Sequence, residues 1–351
     1  LIANSATNNP VYNATTFSKL SSQAYTFIAA TSSINTLVGS NSASGGSSNV
    51  AGGVCNNASG FCSNVAGGGC NTASGDHASV GGGFCNTASA NYSSVLNGFF
   101  NAVSGIDAIN STIASGQYNR ITGNSAFVGG GVCNTASAYA SNVAGGFGNT
   151  ACVIYSNVAG GYCNTASGCY SNVAGGIRNI ASGTCSNVAG GICNTASSCN
   201  SNVAGGCCNN ACGAFSNVAG GLCNNALSGF SVVAGGFGNT ASGTCSNVAG
   251  GAGNIVFRAN SNIGGGSNNS VCMASSSIGG GGNNRMGNLG SHSTIAGGCG
   301  NVLSGAPSFS FIGGGFCNAV CSAYSNIVGG GCNLVCSGTS SIIGGCSNVI
   351  A

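Results

Sequence analysis

Cysteine is the reactive residue this chain holds in quantity, with 23 among 351 residues. Thiols in that number offer disulfide formation, soft-metal ligation or nucleophilic attack. Several recur at intervals of fifteen: Cys55, Cys70 and Cys85; Cys193, Cys208 and Cys223; Cys317 and Cys332; Cys321 and Cys336. If fifteen residues make one layer of a stack, such neighbours sit about 4.8 Å apart, inside the Cα separation a disulfide tolerates. The total is odd, however, and the same position elsewhere carries Phe100, Gly148, Arg178, Asn268 or Asn283. Two readings therefore stay open: vertical disulfides, or small half-buried apolar groups. Cys207, Cys208 and Cys212 have neither a paired Cys-x-x-Cys nor a histidine beside them, so no metal centre is expected there.

Other chemistry has little to draw on. The acids are Asp76 and Asp107, the histidines His77 and His292, and the cations Lys19, Arg120, Arg178, Arg258 and Arg285. General acid–base work needs positioned pairs of such groups. Asp76 and His77 are adjacent, so in extended chain they point to opposite faces. The two aspartates share neither a repeat position nor neighbouring repeats. Five scattered cations make no basic stripe, so nucleic acid is not an expected partner. Runs such as Gly279-Gly280-Gly281-Gly282 lack the Lys-Ser/Thr of a phosphate loop. We expect no enzyme and no cofactor.

What positions every residue is a repeat. Asparagines recur at 56, 71, 86 and 101, then from 119 to 284 every fifteen residues, then at 301, 318, 333 and 348. Asn56, Asn71, Asn134, Asn149, Asn164, Asn179, Asn194, Asn209, Asn224 and Asn239 belong to this column. Six residues before each stands only Val or Ile, as at Val50, Val65 and Ile113. Three before stands only Gly, whereas the position beside it admits Asn97 and Ser115. An exclusive Gly implies positive φ or no room for Cβ. Two after the Asn comes a small or branched apolar residue (Ala58, Ala73, Val103, Ile121), and the position between is mixed. That is the alternation of a half-buried strand.

A period this short reads as a solenoid, one coil per repeat. The expected fold is all-β: a parallel β-solenoid (β-roll) of about 21 coils with two short strands per coil, over residues 36–351. A degenerate first coil carries Asn41, Ala43 and Gly45. At about 4.8 Å per coil the rod is on the order of 100 Å long. The buried asparagines are read as a structural ladder in which each amide bonds the amide of the next coil. Residues 1–35 lack the Gly turn and are read as an N-terminal cap or attachment segment. The final Ser347-Asn348-Val349-Ile350-Ala351 is a repeat stopped partway, so a continuation, a cap or the next rod is expected beyond it. No apolar run is long enough for a transmembrane helix.

Units such as Ser156-Asn157-Val158-Ala159-Gly160-Gly161-Tyr162-Cys163-Asn164-Thr165-Ala166-Ser167-Gly168 resemble the head repeats of YadA-type trimeric autotransporter adhesins, and similar repeats of phage and giant-virus fibre proteins. The resemblance covers residues 36–351 and implies a left-handed roll, three rolls packed side by side, and a rod that carries binding surfaces away from a cell or particle. The longer unit and the many cysteines depart from that pattern.

The position two before the Asn is rich in large apolar groups: Phe84, Phe147, Tyr162, Ile177, Ile192, Leu222, Phe237 and Phe316. A fifteen-residue coil is too thin to enclose these together with its Val and Ala columns, so they are expected at an interface between subunits. The expected function is a structural fibre of a cell or virion surface, a homo-oligomer as trimer or filament, with an adhesive role toward a host surface or glycan. An ice-binding solenoid is the alternative, on the column of Thr72, Thr87, Thr135, Thr150, Thr165, Thr195 and Thr240. The three lengthened repeats, around Asp107, around Gly287–His292 and around Ala306–Phe309, are where binding loops are expected.

Overall fold

In the computed structural model of the chain, residues 26–28, 34–36 and 40–351 are described. They form the expected parallel β-solenoid of about 21 coils, two short strands to a coil, with no helix among them. In one coil, Asn142–Val143 and Thr150–Ala151 are the two strands. Each pairs in register with its equivalent fifteen residues on, Asn157–Val158 and Thr165–Ala166. The Val strands, with the two N-terminal strands Thr26–Ile28 and Ile34–Thr36, build a 22-stranded sheet. The Ala strands build a second, from Ser42–Ala43 to Val349–Ile350. Between them runs a third line of contact, single parallel bridges such as Phe147↔Tyr162↔Ile177↔Ile192.

The segment read as an N-terminal cap lies mostly outside the described residues. Within it, Thr26–Ile28 pairs antiparallel with Ile34–Thr36, and the latter runs parallel to Asn49–Val50, extending the Val sheet.

The interior is thin and half polar. Each coil contributes one Val or Ile and one further apolar residue, mostly Ala, fully buried except at the ends of the rod, for example Val158 and Ala166. Beside them lie a buried Ser and a buried Asn, such as Ser156 and Asn164. Most of the serines close a turn: Ser141 donates to the Ala138 carbonyl at 2.7 Å and Ser201 to that of Ser198 at 2.7 Å. Ser63, Ser186, Ser216 and Ser246 make no such bond through Oγ.

The asparagine column corrects the expected amide-to-amide ladder. Asn164 Oδ1 accepts the backbone N–H of Asn179 at 2.9 Å. Its Nδ2 donates to the Gly160 carbonyl of its own turn at 2.8 Å and to the Gly176 carbonyl of the next coil at 2.9 Å. The same three bonds recur at Asn71, Asn134 and Asn224. Amide-to-amide contacts are longer and confined to some coils, such as Asn119 to Asn101 at 3.1 Å. The reason is geometric: the turns aim their carbonyls at the axis, and buried carbonyls take the amide hydrogens first.

The obligatory glycine follows from this arrangement. Gly146 has φ +90°, and a Cβ on it would lie 2.2 Å from the Gly161 carbonyl oxygen and 2.5 Å from Asn149 Nδ2. Gly145 beside it faces open space, as the tolerance of Asn97 and Ser115 in that column implied.

Three substitutions separate these roles. Asn164→Ala leaves the Gly160 carbonyl and the Asn179 N–H buried and unpaired, at about 1–3 kcal/mol each. Gly146→Ala must open the coil. Ser186→Ala removes a hydroxyl without a partner, in a column where Ala78 and Ala126 already stand buried, and is expected to be neutral. Because repeats unfold locally, amide hydrogen exchange checks this: protection should fall in the mutated and adjoining coils for the first two and stay unchanged for the third.

Candidate functional site

Each coil of the described residues encloses only its own thin core, so the groups open to a partner there are the columns on its surface. Among the described residues the aspartates and histidines do not converge on one site. Asp76 accepts the Phe61 N–H at 3.0 Å, while His77 turns away, stacking on Tyr92 at 4.9 Å and meeting Phe61 edge-on at 5.8 Å. Asp107 is exposed on the first lengthened turn. His292 Nδ1 lies 2.9 Å from Ser291 Oγ, and its ring stacks on Phe309 at 5.0 Å. Among the described residues no three of His, Cys, Asp and Glu come together as metal ligands, Cys207, Cys208 and Cys212 included.

Two positions per coil sit in left-handed backbone although neither is reserved for glycine. One directly precedes the buried Asn (Cys55, Cys70, Cys85, Cys133, Cys163); the other precedes the buried Ser, or the Ala in its place at Ala78 (His77, Tyr92, Tyr155, Tyr170, Phe215, Phe230). Their non-glycine members have φ between +51° and +58°, a region costly for residues other than Gly, Asn and Asp. Register offsets part of that cost. On the second column rings stack coil upon coil: Tyr155 on Tyr170 at 4.9 Å, Phe215 on Phe230 at 5.0 Å, Phe309 on Tyr324 at 5.4 Å. The neighbouring Tyr139 raises the Tyr155 pKa above the ordinary tyrosine value.

The first column is the thiol column, and it corrects the half-buried reading. Cys55, Cys70, Cys193, Cys208, Cys223, Cys317 and Cys332 are exposed, as is Cys336 of the other stack, and only Cys85 and Cys321 of the predicted stacks are partly covered. None of them is bridged in the structure. Cys207 and Cys208 sulfurs lie 3.5 Å apart, and that contact raises the Cys207 pKa. Partial desolvation and then Cys332 raise that of Cys317, while a hydrogen bond with Cys321 raises that of Cys336.

The predicted apolar stripe is on the surface of the single chain. Phe84, Phe147, Tyr162, Ile177, Ile192 and Leu222 are 40–45% exposed, Phe237 and Phe316 56–57%. Its rings stack too, Phe147 on Tyr162 at 5.2 Å and Phe84 on Phe99 at 5.5 Å. The threonines lie outward on the Ala sheet, Thr135, Thr150 and Thr165 in register, followed by Ile180.

One column escaped the sequence reading. The residue before the inward Val is Asn in long runs, and Asn157, Asn172, Asn187, Asn202 and Asn217 pass a hydrogen bond from amide to amide at 2.7–2.9 Å, with Asn142 leading the chain. So the amide ladder exists, but on the outer face of the Val sheet. Its signal was the recurring Ser-Asn-Val triplet.

The three lengthened turns fall on one corner of the coil, after the Ala strand and before the buried Ser. Ile106 (89% exposed), Leu289 (63%) and Phe309 (53%) project there. Phe257, Arg258, Cys272 and Asn288 on the same corner line an open cleft of about 350 Å³. No protein-family model matches the chain, and no curated protein is significantly similar to it.

Exposure and left-handed backbone together mean that the thiol column gives little to packing. Cys133→Asn should therefore be neutral or raise stability by about 0.5–1 kcal/mol, since Asn268 and Asn283 already hold this conformation. Thermal unfolding followed by circular dichroism checks it.

Proposed function

We propose that this β-solenoid is a non-catalytic structural rod that packs side by side with further copies of itself into a surface fibre of a cell or virion. The observation that carries this reading is the exposed apolar stripe of Phe84, Phe147, Tyr162, Ile177, Ile192, Leu222, Phe237 and Phe316. At roughly 80 Å² of exposed surface each, Phe147, Tyr162, Ile177, Ile192, Leu222 and Phe237 make a patch at the upper end of what a monomer exposes, and Phe84 and Phe316 carry the stripe toward the two ends of the rod. Together the eight approach the ~800 Å² per partner of a stable interface. Their spacing is the coil pitch, and a second copy presents the same pitch along its whole length. With 2% charged residues the chain opposes such contact with little like-charge repulsion. The resemblance to trimeric adhesin heads favours three rods in the bundle.

An adhesive role, toward a glycan or another host-surface molecule, belongs to the lengthened corner, whose side chains break the periodic surface. The in-register Thr135, Thr150 and Thr165 favour ice binding as a second reading, against which stands the interruption at Ile180. A thermal-hysteresis measurement decides that reading: no activity removes it.

Light scattering coupled to size exclusion, under reducing conditions, tests the fibre reading. The unmodified chain should elute as a trimer or larger assembly. Joint replacement of Phe147, Ile177 and Leu222 by Asn should yield monomers with an unchanged β-sheet spectrum, because these side chains lie outside the core. A monomeric unmodified chain overturns the proposal.

A further inference from the structure

We infer that Cys317 with Cys332, and Cys321 with Cys336, are two disulfide-forming pairs that staple the same two consecutive coils together. Those coils are joined in register by Ala319↔Leu334 and Val320↔Val335 and by the bridge Phe316↔Gly331. Cys317 and Cys332 follow the bridge, and Cys321 and Cys336 follow the strands. Each cysteine thus faces its partner across one strand spacing of about 4.8 Å, inside the Cα range of disulfides. The backbone holds that alignment: Cys332 N–H donates to the Phe316 carbonyl at 2.8 Å, Cys321 N–H to that of Val335 at 2.8 Å, and Cys336 N–H to that of Ile350 at 2.7 Å.

The reach of sulfur in the first column can be read from the coil before. A Cβ placed at Gly300 lies 3.3 Å from Cys317 Sγ, and one at Gly148 lies 3.2 Å from Cys163 Sγ. A disulfide with its ~2.05 Å S–S bond sets each Cβ about 3 Å from the partner sulfur; a Cys332 sulfur that leans back as its column does meets half of that geometry, and rotation of Cys317 about χ1, away from Gly300, supplies the other half. The thiols of each pair also sense one another, as the raised pKa values of Cys317 and Cys336 reflect.

Within its own column each of these thiols has one partner. Gly300 and Ser347 flank Cys317 and Cys332 in their column, and Ser304 and Ala351 flank Cys321 and Cys336 in theirs. The triplets Cys55-Cys70-Cys85 and Cys193-Cys208-Cys223 instead offer every middle thiol two partners. Packing gives no other reason for Cys317 and Cys332, which are exposed and held at φ +51° and +55°.

The oxidant is a low-molecular-weight disulfide. One cysteine thiolate attacks it, releasing one small thiolate and leaving a mixed disulfide on the protein. The partner thiolate then attacks the protein sulfur of that mixed disulfide and expels the second small thiolate. Two protein thiols lose two electrons and two protons, and one small disulfide becomes two thiols.

The full chain, incubated with glutathione disulfide at mildly alkaline pH, alkylated and cleaved with chymotrypsin, supplies the test by mass spectrometry. Cleavage after Tyr324 separates Cys317 and Cys321 from Cys332 and Cys336, so a bridge appears as two linked peptides. Cys321→Ser should retain the Cys317–Cys332 link and Cys317→Ser the Cys321–Cys336 link. Of these four thiols the double variant Cys317→Ser, Cys336→Ser leaves Cys321 and Cys332, which do not face one another and should give no link. Alkylated or singly glutathionylated cysteines in the unmodified chain, or a Cys321–Cys332 link formed as readily as the direct ones, would overturn the assignment. The substituted side chains lie outside the core, so the variants keep the fold on which the test depends.

Discussion

The structure depends on one side chain satisfying three buried backbone groups at once. In a fifteen-residue coil the turns point carbonyl oxygens and an N–H at a buried axis, and each must be paired. A short amide does this with two donors and an acceptor; Asp has no donor, Ser has one, and Gln is a methylene longer. Asn164 binds the Gly160 carbonyl of its own turn, the Gly176 carbonyl of the next coil and the next Asn N–H. The neighbouring glycine is fixed by the same device, because the amide and a carbonyl occupy the volume its Cβ would need. Asn and Gly columns are therefore one constraint seen from two sides.

Exact stacking then governs the exterior. Every outward position meets its own equivalent one strand spacing away, so a charge repeated in a column would face its own kind at about 4.8 Å. Neutral partners surround the arginines that do occur: Arg120 lies between Ala102 and Thr135, and Arg285 between Ser270 and Val302. Scarcity of charge is thus a consequence of the fold. The same register rewards side chains that like themselves: rings that stack and outward amides that hydrogen-bond in series. Those contacts help offset the left-handed backbone of the corner columns.

The architecture was legible because a period of fifteen and the exclusive Val/Ile, Gly and Asn columns leave no other solution, and the buried Val158, Ala166 and Asn164 stand where alternation put them. The bonding of the Asn was not, since spacing shows which residues stack but not whether an amide meets an amide or a carbonyl. Residue mixture at the column before the Asn, with Gly148, Asn268 and Asn283 among the cysteines, was a left-handed signature that cysteine abundance obscured. The exposure of Phe147 and Phe316 followed from volume alone. Ring stacking at the corner could not be anticipated without the turn geometry that brings Tyr155 over Tyr170.

The lengthened coils show how such a rod accepts change. Eighteen residues separate Asn101 from Asn119 and seventeen separate Asn284, Asn301 and Asn318, yet each later Asn donates its N–H to the previous Oδ1 at 3.0 Å, as in the regular coils. The added residues leave through the one corner where the ladder places no demand. Elsewhere an insertion would shift an inward side chain outward and break three bonds at once. Variation that could distinguish one surface from another is thereby confined to a single edge, while the apolar stripe and the thiol column stay in register along the rod. Contacts made by such columns are individually weak and become effective by repetition at a shared pitch. The same Asn bond that holds the coils therefore also sets the spacing at which the rod meets whatever lies against it.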